Sequence, residues 1–176
     1  MIGGEKTMYS IRRANKADTE AVMRLLAQVN RVHHDGRPDL FRLGTKYTPE
    51  ELERIFADDA RPVFVSTDEN GDVLGYAFCI LQQHIGSHLM TDIRTLYIDD
   101  LCVDERARGR RVGTGLYEYV LAYARAAGCY NVTLNVWSLN QGAMRFYEKC
   151  GLVPQKVGME KILSCSSSES HDAKGE

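Results

Sequence analysis

The sequence predicts an α/β fold, a mixed central sheet flanked by helices, from three observations. Short apolar segments with period-two spacing alternate with segments whose apolar residues recur at helical spacing. Their coarse order is β-α-α-β-β-β-α-β-α-β, which a sheet covered on both faces would bury. Finally, the strand candidate "IRTLYIDDLCV" passes through an arginine- and glycine-rich stretch straight into a helical pattern.

In chain order, "YSIRRA" at 9–14 reads as the first strand, and "KADTEAVMRLLAQVNRVHH" as the first helix. Ala21, Leu25, Val29 and Val32 form its apolar stripe, with Leu26 beside it. After the polar loop "HDGRPDLFRLGTKY", Thr48 precedes Pro49 and stands three residues before Glu51. These supply an N-cap, an N1 proline and a capping box for a short helix through Phe56. "PVFVST" and "VLGYAFCIL" flank "DENGD", whose Asn-Gly favours a tight hairpin turn. In "IRTLYIDDLCV" the period-two pattern puts Ile98, Asp100 and Cys102 on one face, and Tyr97, Asp99, Leu101 and Val103 on the other. Asp99 and Asp100 then point opposite ways unless a bulge intervenes. A helix from about Gly113 to Ala127 is closed by Gly128, and "YNVTLNVW" reads as another strand. "NQGAMRFYEKC" is a short helix closed by Gly151, and "LVPQKVGMEKIL" one or two terminal strands.

At 176 residues the chain suits a single domain, taken as 1–163, followed by a serine-rich and disordered tail at 164–176. Hydrophobic residues at 44 % and charged residues at 26 % fit a soluble globular protein. The net charge of −2 makes the four arginines at 106, 108, 110 and 111 a local feature, against a nucleic-acid-binding role. Cys79, Cys102, Cys129, Cys150 and Cys165 are widely spaced, which suggests free thiols. The adjacent His33 and His34 do not make a metal site, and none is expected. With no membrane span or leader pattern read in the chain, the expected location is cytoplasmic, with no membrane partner.

The stretch "RARGRRVGTG" at 106–115 delivers Gly113 to a helix N-terminus, where an anion is favoured, and arginines add attraction for a polyphosphate. It lacks the lysine of a P-loop and the GxGxxG of a dinucleotide fingerprint. A solvated charge run that merely eases a turn is the plain alternative.

"LCVDERARGRRVGTGLYEYVLAYARAAGC" resembles the strand, loop and helix that bind acyl-CoA in the GNAT family of N-acetyltransferases. The family pattern is Gln or Arg, two residues, Gly, one residue, then Gly or Ala. Arg108 takes the first place and Gly113 the last, while Arg111 replaces the first glycine. "NQGAMRFYEKCGL" is similar to the family's later helix, with Asn140, Ala143, Phe146, Tyr147 and Gly151 at recurrent positions.

The resemblance implies a GNAT-like acyl-CoA N-acyltransferase fold, acetyl-CoA as acyl-donor cosubstrate, and direct transfer to a primary amine in a ternary complex. The acceptor it implies is a small molecule or polyamine-like, with a peptide or protein N-terminus, or a non-catalytic acyl-CoA-binding regulator, as the alternatives. It further implies that the backbone of Leu101, Cys102 and Val103 meets the pantetheine arm. Arg108, Gly109, Arg110, Arg111, Val112, Gly113 and Thr114 would meet the pyrophosphate, and Asn140, Ala143 and Tyr147 border the rest of the cofactor. Tyr147 is the expected acid, and Asp99 or Asp100 the group that assists amine deprotonation, Asp99 through water. Cys102 beside two carboxylates has no reason to be a lowered-pKa nucleophile. "NRVHHDGRPDLF", with His33, His34, Asp35 and Arg37, is placed at the acceptor mouth, and a homodimer is left open.

Overall fold

The computed structural model describes residues 9–163, so the serine tail lies outside the described residues. A five-stranded sheet runs in the order β1 (Ser10–Arg13), β2 (Val63–Thr67), β3 (Val73–Gln83), β4 (Arg94–Val103), β5 (Asn131–Leu134). The first four strands are antiparallel in sequence, and β5 joins β4 in parallel. Helices α1 (Thr19–Gly36) and α2 (Pro49–Phe56) cover one face, α3 (Val112–Ala126) the other, and α4 (Gln141–Lys149) packs on the α3 side.

Each boundary has a local cause. A single 3-10 turn, capped reciprocally by Asn15 and Asp18, leads into α1, while Asp18 also takes a bidentate pair from Arg12 at 2.7 and 2.8 Å. For α2 the predicted capping box forms: Thr48 Oγ1 accepts from the Glu51 N–H, and Glu51 Oε2 accepts from the Thr48 N–H. In the β2–β3 turn Asp68 Oδ1 accepts from the N–H groups of Asn70 and Asp72, and Gly71 takes the positive φ of 88°. No helix of the described residues is long and apolar enough to cross a membrane.

The sheet separates two apolar layers. Val22, Leu25 and Leu26 of α1 and Leu52 and Ile55 of α2 pack on Val63, Val65, Tyr76 and Phe78. Leu116, Val120 and Ala124 of α3 pack on Phe64, Leu74, Ala77, Leu96 and Ile98.

Two expectations need correction. Ile98, Asp100 and Cys102 do not share a face: Phe78 pairs with Asp100 and Cys79 with Ile98, so Asp99 is an extra residue in β4. This bulge inverts the alternation, leaving Ile98 in the α3 layer and Cys102 in the α1 layer. The second correction concerns 152–163, which forms no strand. Its alternating residues suit one, but a strand is stable only with a ladder, and Pro154 cannot donate to it. Val153 and Met159 stand 81 % and 91 % exposed. The strand expected over "YNVTLNVW" also shortens to Asn131–Leu134, after which the Asn135 amide donates to the Tyr97 hydroxyl.

At Gly75 β3 approaches β4 so closely that a Cβ would stand 2.7 Å from the Cys102 carbonyl oxygen and 3.1 Å from Leu116. The first contact is backbone, so relief requires the strands to part. Gly75→Ala should therefore cost about 1–3 kcal/mol in denaturant unfolding; an unchanged midpoint would contradict this close-packing account.

Candidate active site

The site begins at the bulge. β3 pairs with β4 on both sides of the bulge, whereas the β4–β5 ladder ends at Ile98 and Leu134, so from Asp100 to Val103 the only ladder partner of β4 is β3. Leu101, Cys102 and Val103 lie in this stretch beyond the end of β5. The Gln28 amide already donates to the Val103 carbonyl, at 3.2 Å.

Beyond Val103, Asp104 caps a 3-10 turn (Glu105–Ala107), and the chain turns through Gly109, at φ 80°, and Arg111, at φ 60°, into α3. Arg111 is thus a left-handed residue at the place where the family pattern has glycine. Its carbonyl is held from outside by the Tyr9 hydroxyl at 3.0 Å. Tyr9 fits because position 115 is glycine, where a Cβ would stand 2.5 Å from the Tyr9 hydroxyl.

The loop borders an open pocket of about 320 Å³ lined by Val103, Ala107, Arg108, Gly109, Arg111, Val112, Gly113, Thr114 and Phe146. The first N–H groups of a helix have no intrahelical partner and carry the positive end of its dipole, so α3 presents an anion site here. A methyl at Gly113 would sit at ordinary contact distance, 3.4 Å from Val103, which suits the Gly-or-Ala pattern. Arg110 is the expected loop residue that lies apart. With Arg106 and Arg24 it lines a second groove, of about 570 Å³, toward α1 and the β2–β3 turn.

Asn140 caps α4, its Oδ1 accepting from the Ala143 N–H at 3.0 Å. The pair therefore sets the helix that carries Tyr147. The Tyr147 ring packs edge-on against Phe146, with centroids 5.1 Å apart, and against Tyr117 at 6.4 Å. Burial first, then the charge of Asp100, hold its phenol well above the ordinary tyrosine range. It remains protonated at neutral pH and is suited to donate.

The bulge puts both aspartates toward the α1–α2 side, contrary to the opposite facing that regular alternation predicts. Asp99 accepts from Lys46 Nζ at 2.6 Å and from the Tyr47 hydroxyl at 3.4 Å. Asp100 accepts from the Tyr76 hydroxyl at 2.7 Å. Burial raises the Asp100 carboxyl pKa, and the Tyr76 hydrogen bond and the Lys46 charge only partly offset it. The Cys102 thiol is pushed up to about 12, by burial first and then by Asp100, which agrees with its reading as no nucleophile.

In the last turn of α1, His33 lies tilted against Phe41 of the following loop at 5.1 Å between centroids, and Phe41 meets Trp137 edge-on at 5.3 Å. His34 Nδ1 lies 2.7 Å from the Phe41 carbonyl, Arg37 bridges Asp39 and Glu160, and Asp35 is exposed. Lys46, Tyr47, Tyr76 and Trp137 were absent from the sequence-based site. Tyr76 reads as core, and a polar loop carries no periodicity to say what it reaches.

A mixed five-stranded sheet whose fourth strand runs past the end of β5 and through a glycine-containing turn into the next helix is the fold of the GNAT acetyltransferases. Residues 29–152 match the acetyltransferase (GNAT) family, and the chain belongs to that family as an N-acetyltransferase. It is 35 % identical over 122 residues to glucosamine 6-phosphate N-acetyltransferase of Arabidopsis thaliana, covering 66 % of this chain and 78 % of that protein. Glucosamine 6-phosphate N-acetyltransferase 1 of Oryza sativa subsp. japonica is 30 % identical over 158 residues, covering 89 % and 88 %. Among solved structures, a tetramutant of the BH1408 protein from Bacillus halodurans superposes with a TM-score of 0.84 at 33 % identity, covering 88 % of this chain and 99 % of that one.

Two outcomes test this local account. A left-handed non-glycine residue is disfavoured by about 1–2 kcal/mol, so Arg111→Gly should raise stability by up to that amount in thermal unfolding. Because the fold raises the Asp100 pKa, it favours the protonated acid, and the associated stability is lost as pH rises through the raised value. Asp100→Asn keeps an acceptor for Tyr76 without the charge. Its Tm relative to the native chain should therefore increase from about pH 4 to about pH 7; a constant difference would overturn the assignment.

Proposed function

We propose that this N-acetyltransferase moves the acetyl group of acetyl-CoA directly to the primary amine of a small molecule. The observation that carries the reading is the open pocket at the start of α3, lined by Arg108, Gly113 and Phe146 beside Tyr147, with Asp99 and Asp100 just past the end of the β4–β5 ladder. Two relatives are named for glucosamine 6-phosphate, a small amine, which supports the acceptor class.

The residues fit the donor. The pyrophosphate is held by the N–H groups at the start of α3 and by Arg108, with Arg111 contributing its backbone, and the pantetheine arm lies along Leu101–Val103. Bound acetyl-CoA supplies the acetyl group and a thiolate leaving group. Asp99 receives the proton of the incoming ammonium through water, leaving a neutral amine to attack. Asp100, charge-coupled to Tyr147, helps keep that phenol protonated. Tyr147 then gives its proton to the departing sulfur, and the phenolate regains one, directly or through water, from the nitrogen of the collapsing intermediate, which leaves as the neutral amide. Asn140 and Ala143 act through α4 by fixing where that hydroxyl stands.

Mass analysis after incubation with acetyl-CoA and separate pools of amino sugars, amino acids, polyamines and peptides reports both the transfer and its acceptor class. Tyr147→Phe removes one hydroxyl and leaves the ring packed on Phe146 and Tyr117. It should slow single-turnover transfer by about ten- to ten-thousand-fold while acetyl-CoA affinity holds. An unchanged chemical rate would remove Tyr147 from the acid role. Arg111→Gly should keep acetyl-CoA affinity within about tenfold by calorimetry; a larger loss would assign the arginine side chain a contact of its own.

A further inference from the structure

We propose that the acceptor is zwitterionic, an amine that also carries a carboxylate or phosphate, and that Lys46 and Arg61 form the subsite for its anionic group. This rests on the acetyl-transfer reading above and names the substrate class of the same site.

Two cations already stand in the side-chain cluster around Asp99. Lys46 Nζ stands 2.6 Å from Asp99 Oδ2, and the Tyr47 hydroxyl stands 3.4 Å from the same oxygen. Arg61 Nη2 donates to that hydroxyl at 3.3 Å. Both cations lie over the Tyr47 ring, at 5.5 and 5.9 Å from its centroid. The ring is fixed in turn by stacking on Phe78, the ladder partner of Asp100. The order from outside inward matters: the Lys46 side chain is 46 % exposed and that of Asp99 only 18 %. A ligand meets the ammonium before it meets the carboxylate.

Lys46 and Arg61 thus match the two carboxyl groups Asp99 and Asp100 in number, and burial disfavours the charge on Asp100, so this cluster is not an acidic pocket. An acceptor bringing only an ammonium must share Asp99 with Lys46. Two like charges held at one carboxylate repel, and more strongly beside the protein than in open water. A polyamine multiplies that repulsion. An acceptor with its own anion reverses the sign: Lys46 swings from Asp99 to the anion, the acceptor ammonium takes its place, and one ion pair becomes two. Lys46 holds a cation at Asp99 until then.

The exchange also runs backward after transfer. The product amide is neutral and no longer pairs with Asp99, so Lys46 returns to the carboxylate and releases the product's anionic group. Lys46 and Arg61 accordingly set specificity and release, and neither handles the transferred proton.

The test uses acceptors paired by one anionic group: phenylalanine against phenethylamine, and glucosamine 6-phosphate against glucosamine, with spermidine as the polycation. The first pair reads carboxylate and the second phosphate. The native enzyme should favour the anionic member of at least one pair by tenfold or more in kcat/KM, and should use spermidine least. K46Q should reduce that preference at least tenfold, K46R should retain most of it, R61Q should weaken it, and K46E should shift turnover toward spermidine. A merely structural role for Lys46 would change both members of a pair equally and leave the ratio where it was. Equal use of both members by the native enzyme, preference for spermidine or a peptide, or a ratio unchanged in both K46Q and R61Q overturns the subsite while acetyl transfer stands. No transfer to any amine, with acetyl-CoA bound, overturns the functional reading itself.

Discussion

The extra residue at Asp99 is the constraint on which the rest of the site depends. A strand alternates faces with period two, so one inserted residue exchanges the faces of everything downstream. Upstream, Leu96 and Ile98 serve the α3 layer and β4 is laddered to β5. Downstream, Cys102 serves the α1 layer, and the ladder to β5 has ended. One backbone irregularity therefore coincides with the end of the β4–β5 ladder, turns two successive carboxylates to one side and sets the line along which β4 runs into the arginine loop.

Much of the framework was readable because its causes are local. The Thr48-Pro49-Glu51 box, the Asn-Gly turn and the glycine closing α3 each act within a few residues. The arginine loop was readable as a strand-to-helix passage for the same reason. The bulge was not, since "YIDDLCV" fits an unbroken alternation equally well and only pairing with β3 reveals the surplus residue. Lys46 and Tyr47 escaped notice because loop closure, not periodicity, brings them to Asp99 across more than fifty residues. The terminal segment failed differently: its alternation is real, but alternation specifies a strand only where an edge receives it.

Arg111 shows how a departure from a family pattern can preserve its geometry. The chain still makes the left-handed turn for which glycine is suited, and does so with an arginine whose carbonyl is gripped by Tyr9. Strain of this kind persists only where neighbours over-determine the conformation. Here the ring over Gly115, the hydroxyl on the Arg111 carbonyl and the first turn of α3 fix the same few atoms from three directions.

That grip reaches across the chain. Tyr9 immediately precedes β1, more than a hundred residues from the carbonyl it holds. An amino-terminal trimming that spares every strand and helix but removes this one ring would leave the anion-binding turn without its outer brace. The boundary of a fragment that keeps the arginine loop braced is therefore set by Tyr9, one residue earlier than the first strand would suggest.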